Sequence, residues 1–166
     1  MNNRIVHLDD DGRLCITAAV PEMFDPESGQ RKQLEAQGIH LSNDSEVMHF
    51  IISRIVPAGR NYRVVHEDEL PRFRDFRDAW IHDGKTITHD MAKANNIKRD
   101  MFRALRKPLL EALDVSYLEA DEKNDHEEKK SVAARKQALR DITKFQDLND
   151  INELREYMPD ILKPQN

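Results

Sequence analysis

The stretch DMAKANNIKRDMFRALRKPLLEALDVSYLEADEKND, residues 90–125, decides most of the fold. Its apolar residues recur at steps of three and four, which is the period of one helix face. Thr88 or Asp90 can cap the start of such a helix. The predicted apolar stripe consists of Met91, Ala94, Ile97, Met101, Ala104, Leu105, Leu109, Ala112 and Leu113. We therefore expect one long amphipathic helix, ending near Lys123.

Pro108 lies inside this helix. An interior proline removes one backbone hydrogen bond and its ring clashes with the preceding turn. We therefore expect a kink or a break near residues 106–107.

Two further helices are expected after this one. Asp125 and Glu128 have the spacing of a capping box, and an apolar side continues to Phe145, so residues 88–145 should form a helical hairpin with its turn at residues 124–125. A short amphipathic helix should follow at residues 150–158. The hairpin must then bury its stripe against the last helix, the first half of the chain or another copy of itself.

The first half of the chain predicts a smaller, mixed unit. Short β-type runs flank the turn DDDG at residues 9–12, which indicates a hairpin within residues 4–20. Residues 21–29 should form a connector. A helix should start at Ser42 or Asp44 and end before Pro57, and residues 62–65 should form a strand able to pair with the hairpin. We expect an α+β fold, with domains at residues 1–87 and 88–166.

Three aromatic residues stand close together near the expected boundary. Phe73, Phe76 and Trp80 fall at steps of three and four, so a helical turn would put their rings on one side. With the neighbouring arginines, such as Arg77, they have the composition of an interaction hot spot. The alternative, which we favour, is that they build the core of the junction between the two halves.

Composition excludes several classes of protein. The chain has 166 residues, 34% of them charged, but only five glycines and seven prolines, which favours helix over a turn-rich β fold. No apolar run reaches the length of about 18 residues that a membrane-spanning helix needs, and no secretory signal pattern is present. Cys15 is the one cysteine, so an internal disulfide is excluded.

No catalytic, cofactor-binding or metal-binding motif is recognisable in the sequence. There is no glycine-rich phosphate loop, nucleophile elbow or dinucleotide fingerprint. The seven histidines lack the clustering of metal sites, and residues 82–90, which hold two histidines and two aspartates, are better interpreted as a polar turn. We predict a non-enzymatic protein without cofactors.

The charges on the helical hairpin are segregated. Residues 93–107 contain six basic residues and one acid, a net charge of +5, and residues 119–128 contain six acids and one lysine, a net charge of −5. The basic residues include Arg99, Arg103 and Arg106. They would suit a nucleic-acid-binding regulator, but the acidic turn and the whole-chain net charge of −5 oppose that alternative. We favour a solvated helix face over nucleic-acid binding, and complementary packing between copies or with a partner is a third possibility.

The run VPAGRNYRVVHEDELPRFRDFRDAWIHDG, residues 56–84, resembles a pattern in small proteins from the tail-gene regions of tailed bacteriophages and prophages. In these proteins a Pro-Ala-Gly step, a Tyr-Arg-Val-Val strand, a Leu-Pro step and a Phe-Arg-(Asp/Asn)-Ala-Trp segment occur in that order. Residues 90–125, ARKQALRDIT at residues 134–143 and the closing residues 154–162 resemble the helical part of the same proteins. The resemblance covers residues 50–162.

The resemblance implies a tail or tail-fibre assembly chaperone, or a virion-associated adaptor, acting through protein contacts. Its partner would be a phage tail, baseplate or tail-fibre protein, or a second copy of the chain as a homo-oligomer, without membrane and with little role for nucleic acid. Its location would be the virion tail or the host cytoplasm during assembly. The candidate interaction residues are Phe73, Phe76, Arg77, Trp80, Arg99, Arg103, Arg106, Leu109 and Leu113.

Overall fold

A computed structural model describes residues 3–83 and 85–163. They divide into two compact units. The first comprises the residues up to Arg74 together with Trp80–Thr88, and the second comprises Asp75–Ala79 and the residues from His89 onward. Antiparallel strands dominate the start of the chain and helices dominate the rest. The expected α+β fold class is confirmed.

An antiparallel three-stranded sheet organises the first unit. Its strands are β1 (Asn3–Leu8), β2 (Leu14–Ala18) and β3 (Tyr62–His66), in the order β2-β1-β3. The predicted hairpin is therefore present, and the strand predicted at residues 62–65 pairs with it, with Ile5 opposite Val64.

The turn between β1 and β2 is fixed by its polar side chains and its glycine. Asp9 Oδ1 accepts hydrogen bonds from the backbone N–H groups of Asp11 (2.9 Å) and Arg13 (2.8 Å). Gly12 has a φ of +75°, a left-handed conformation that glycine adopts without steric cost. These two features explain why the sequence pattern locates this turn correctly.

Two helices connect β2 to β3. The expected connector, residues 21–29, contains a 3-10 turn, Pro21–Phe24, and helix α1, Gly29–Ala36, begins at its last residue. The sequence pattern does not predict α1. Helix α2, Asp44–Ile55, matches the prediction. Its N-cap is Asn43, whose side-chain oxygen accepts from the N–H of Glu46 at 3.0 Å.

The sheet separates two hydrophobic cores because neighbouring side chains of a strand point to opposite faces. Ile5 of β1 packs with Val47, Ile51 and Ile52 of α2. Val6, the next residue, belongs to a second cluster that also contains Val65, Trp80 and Ile87. Trp80 begins β4 (Trp80–His82), which pairs with β5 (Ile87–His89). Gly84, in the predicted turn between them, lies outside the described residues.

The expected helical face of three aromatic rings is wrong. Trp80 is in a strand, and Phe76 precedes a short 3-10 turn, Arg77–Ala79. Phe76 is buried with Ala94 and Leu154 in the second unit, whereas Trp80 is buried in the first. Regular spacing at three and four residues misleads here because the chain leaves one core and enters another within four residues.

The second unit is helical throughout its described elements. It comprises α3 (Met91–Glu122), α4 (His126–Asp141) and α5 (Ile151–Glu156), with a final 3-10 turn at Asp160–Leu162. Helices α3 and α4 form the predicted hairpin, and Asn124 in its turn has a φ of +55°. The predicted cap is present as well, since Asp125 Oδ1 accepts from the N–H of Glu128 at 3.0 Å.

Helix α3 runs through Pro108 without a break. Of the two expected outcomes near residues 106–107, the break is therefore wrong and the kink stays a prediction. The element extends over 32 residues, about 48 Å at about 1.5 Å per residue. Pro108 is exposed, so its ring projects from the helix without displacing a packed neighbour.

The buried face of α3 follows the predicted stripe only in part. Ala94, a member of the stripe, is buried, and so are Asn95, Lys98, Phe102 and Ala120. Five members of the stripe are exposed, among them Met101 at 38%, Leu105 at 50% and Leu109 at 42%. The apolar pattern alone misplaces the core because two polar residues, Asn95 and Lys98, occupy the covered face.

Alanine substitutions on the two faces of α3 test which face contributes to the hydrophobic core. Phe102→Ala should lower the free energy of unfolding by about 3–5 kcal/mol because Phe102 is 1% exposed. Leu109→Ala should lower it by less than about 1 kcal/mol. Urea unfolding followed by the helical circular dichroism signal measures both, and similar losses for the two variants would contradict the assignment.

Candidate protein interaction site

An exposed apolar strip runs along the middle of α3. Met101, Leu105, Pro108, Ala112 and Val115 follow one another at steps of four, three, four and three, the spacing of a coiled-coil seam. All five are exposed, and Val115 reaches 57% exposure. We use the name contact stripe for these five residues together with three apolar neighbours on α3, Ala104, Leu109 and Leu118. Its members are Met101, Ala104, Leu105, Pro108, Leu109, Ala112, Val115 and Leu118.

The contact stripe stays exposed because the rest of the second unit packs on another face of α3. The first half of that face is covered by the segment that follows α4. Asn95, 1% exposed, donates from Nδ2 to the carbonyls of Met91 and Leu148, both at 2.8 Å, and its Oδ1 accepts from the N–H of Leu148 at 3.1 Å. These bonds satisfy the buried amide and fix residue 148 against α3.

An aromatic cluster continues the same covered face. The ring of Phe102 meets Phe145 and Tyr157 edge to face, with centroids 5.9 Å from each. The Nζ atom of Lys98 lies 5.3 Å from the centre of the Phe102 ring and donates to the carbonyl of Arg155 at 3.0 Å. The hydrocarbon part of Lys98 is thus buried while its charge is paired with a carbonyl and a ring face.

Helix α4 covers the second half of α3. The Nζ atoms of Lys129 and Lys136 lie over the ring of Tyr117, at 5.2 and 5.0 Å from its centroid. The same two lysines form ion pairs with Asp121 and Asp114 of α3. Four charged residues therefore hold the two helices together beside the buried Val132.

The predicted basic interaction residues are largely engaged within the second unit. Arg99 donates from Nε to the carbonyl of Thr143 at 3.3 Å and pairs with Asp147. Arg106 donates from Nη1 to the carbonyl of Arg140 at 2.7 Å. Both guanidinium groups therefore help to fasten the end of α4, and the segment after it, to α3.

The remaining predicted residues lie in different settings. Arg103 is exposed and pairs with Asp100 one turn earlier. Leu113 is half-buried, and Arg77 is exposed in its 3-10 turn. Phe73 is half-buried, with the guanidinium of Arg72 5.4 Å from its ring centre. Leu109 is the member of the predicted set that lies in the contact stripe. Its role in an interface stays a prediction, which its exposed position in an apolar surface supports.

The charges beside the contact stripe also follow a pattern. On one flank, Lys93, Asp100 and Lys107 stand seven residues apart, and Glu111 and Glu122 follow on the same side. Apart from Asp100, this flank is basic in the first half of the helix and acidic in the second. The contact stripe itself, between Met101 and Leu118, carries no charged residue among its members.

The first unit contains a cleft of about 380 Å³ lined by His7, Arg60, Tyr62, Arg63 and other residues. The two arginines that line it already have partners within the protein. Arg60 pairs with Asp10. Arg63 donates to the carbonyl of Lys85 and pairs with Glu69 at 3.0 Å. This cleft therefore lacks an obvious charge with which to hold an anionic ligand.

Within the histidine-rich segment at residues 82–90, the described residues between β4 and β5 form the expected polar turn, whereas Ile87–His89 form β5 itself. Asp83 Oδ1 accepts from the backbone N–H groups of Lys85 (2.8 Å) and Thr86 (2.7 Å), and these bonds lower the pKa of the Asp83 carboxyl. Asp90 caps α3 by accepting from the N–H of Lys93 at 3.0 Å. Both carboxylates are thus engaged with backbone.

No cluster of three or more His, Cys, Asp or Glu side chains among the described residues is placed to hold a metal ion. Within residues 3–83 and 85–163, no helix is both long enough and apolar enough to cross a membrane.

The chain matches no protein-family model, no curated protein and no solved structure. The resemblance to tailed-phage proteins therefore stays a prediction, and the contact stripe is the feature of the fold from which a function can be argued.

The buried position of Lys98 gives a pH-dependent test of the covered face. Burial lowers the pKa of Lys98, with Arg155 adding to the effect and Asp75 opposing it. Between this lowered pKa and the ordinary value of 10.5, the unfolded chain binds more protons, so rising pH favours the folded state. Relative to Lys98→Met, the unaltered protein should therefore gain stability as pH rises toward 10.5.

Urea unfolding at several alkaline pH values measures this difference between the two proteins. A constant difference across the pH range would mean that Lys98 is solvated and would contradict its place on the covered face of α3.

Proposed function

We propose that this chain is a non-enzymatic bacteriophage tail protein that acts through protein–protein contacts, as a tail or tail-fibre assembly chaperone or as a virion tail adaptor. The contact stripe of α3 carries the protein-binding part of the proposal. The motif order of residues 56–84 and the helical segments after it support the phage assignment, through their resemblance to tail-region proteins.

The contact stripe has the character of a protein-binding surface. It presents five large apolar side chains with exposed fractions between 38% and 61%: Met101, Leu105, Leu109, Val115 and Leu118. Contiguous exposed apolar residues on a folded domain mark sites of association more often than single ones do. Because the helix is held from its other face, the stripe is presented on a rigid element that needs little reordering on binding.

The contacts of the basic residues give less support to the nucleic-acid alternative. Arg99 and Arg106 bond to backbone carbonyls of the segment from residue 140 to residue 145, and Lys98 is 6% exposed. To neutralise phosphates, these groups would first have to give up bonds that hold the second unit together. The nucleic-acid alternative is therefore the weaker of the two.

The proposal predicts a loss of tail function when the contact stripe is made polar. Leu105→Glu together with Val115→Glu, placed in the gene of the phage or prophage that encodes the chain, should reduce infectious particles by at least about tenfold, since two carboxylates would be buried in an apolar contact. Plaque titre and electron microscopy of tails give the measurement.

Ile81→Glu is the matched control because Ile81 is 43% exposed in the first unit, away from the stripe residues in sequence. It should leave the titre unchanged. Normal tails and normal titre with the stripe variant would overturn the proposal.

A further inference from the structure

We propose that the contact stripe binds a second copy of the same chain, with the two α3 helices antiparallel and related by a two-fold axis near Pro108. This inference rests on the proposed function, because it names the partner of the same surface. Three observations carry it: the spacing of the stripe, the position of its centre and the distribution of charge along its flank.

The spacing of the stripe suits a helix as its partner. Successive members from Met101 to Val115 keep the steps of four and three residues that allow two helices to pack along a seam. Leu109 and Leu118 widen the strip on either side. A second α3 therefore offers a surface of the same length and the same residue spacing, as an isologous two-fold interface requires.

The residues of the stripe are distributed evenly about Pro108. Met101 lies seven residues before it and Val115 lies seven residues after it. In an antiparallel pair centred on Pro108, Met101 of one copy meets Val115 of the other, and Leu105 meets Ala112 within one residue. Ala104 of one copy stands level with Ala112 of the other, so Leu105 lies beside two small residues and has room to pack between the helices.

The charged flank decides between antiparallel and parallel packing. In the antiparallel pair, Lys107 of one copy comes within two residues, about 3 Å along the axis, of the level of Glu111 in the other. Lys93 comes within one residue of the level of Glu122. A parallel pair would instead place the basic half of one helix beside the basic half of the other, and like charges side by side disfavour that arrangement.

The size of the stripe sets the expected strength of the pair. From Met101 to Leu118 it is about 26 Å long, and a helix contact is about 10 Å wide, so the footprint is about 260 Å² on each copy. Stable specific interfaces bury about 1,200 Å² or more in total. The pair should therefore be weak and reversible, and its flanking ion pairs should make it weaker as salt rises.

Sedimentation of the full chain over the micromolar to millimolar range tests the inference. The unaltered protein should associate reversibly to a dimer. Leu105→Glu should weaken that association by at least about tenfold and keep the helical circular dichroism signal, since Leu105 is 50% exposed.

Charge reversal tests the antiparallel register. Lys107→Glu alone and Glu111→Lys alone should each lose most of the self-association, because like charges then meet across the pair. An equimolar mixture of the two variants should recover it, since each mixed dimer restores opposite charges at both levels. Each chain in the mixture has the same charges within its own helix as in the single-variant experiments. Recovery can therefore come only from new charge pairs between the two copies.

Lys130→Glu and Glu127→Lys form the matched control pair, because both residues are exposed on α4 and outside the stripe. Each alone, and the two mixed, should associate as the unaltered protein does. Recovery in the mixture of the α3 variants with no effect in the control pair supports the inference.

Three outcomes would overturn it. A monomer at every concentration, or a dimer indifferent to Leu105→Glu, excludes the stripe as a contact between copies, and a dimer without recovery in the mixture excludes the antiparallel register. The proposed function fails on a different result, namely normal tails and normal titre with the stripe variant. If the chain is a monomer yet the stripe variant abolishes tails, the stripe holds another tail protein and the proposed function stands.

Discussion

The one-sided packing of α3 is the constraint on which the second unit depends. A helix of 32 residues is too long for α4 alone, which has 16, so the chain must return along the other half to cover it. Asn95 makes that return specific, because its amide exchanges hydrogen bonds with the backbone of Leu148 in both directions. The aromatic rings of Phe102, Phe145 and Tyr157 then close the face. The other parts of the unit cover the face of α3 that holds Asn95, Phe102 and Ala120, and the neighbouring strip of apolar residues remains exposed.

This constraint separates stability from association along a single helix. The covered face mixes apolar groups with polar residues whose bonding capacity is satisfied, such as Asn95 and Lys98. The contact stripe is more uniformly apolar, yet removing its side chains should cost little folding free energy, because Leu105 and Val115 already face solvent. Such a surface can change in sequence to suit a partner while the fold stays intact. This separation is the physical basis of the protein-contact function that we propose.

Local chemistry in the sequence predicts much of the fold, and the assignment of helix faces is where it fails. The turn at Asp9–Gly12 and the cap at Asp90 depend on neighbouring residues alone, so they are predictable. Helix α1 is missed because Leu34 is the single large apolar residue in its eight positions, which leaves no period to detect. The covered face of α3 is missed for the opposite reason, because apolar residues occupy two faces of the helix. The buried face includes the polar residues Asn95 and Lys98, so it is not recognised as the apolar one. Of the candidate site, the sequence singles out Leu109 and the segregated charge, but the exposure of the stripe needs the tertiary structure.

The most direct test of the account is the distance between equivalent positions in two associated copies. A nitroxide attached at Ala92→Cys, an exposed position of α3 outside the contact stripe and its charged flank, reports this distance by pulsed electron paramagnetic resonance in a chain that also carries Cys15→Ser. An antiparallel pair centred on Pro108 places the two labelled positions 32 residues apart along the axis, about 48 Å at about 1.5 Å per residue. A distance near that value at concentrations where the chain associates agrees with the account. A distance near about 10 Å, the separation of neighbouring helices in a parallel pair, or no dipolar coupling at all, would contradict it.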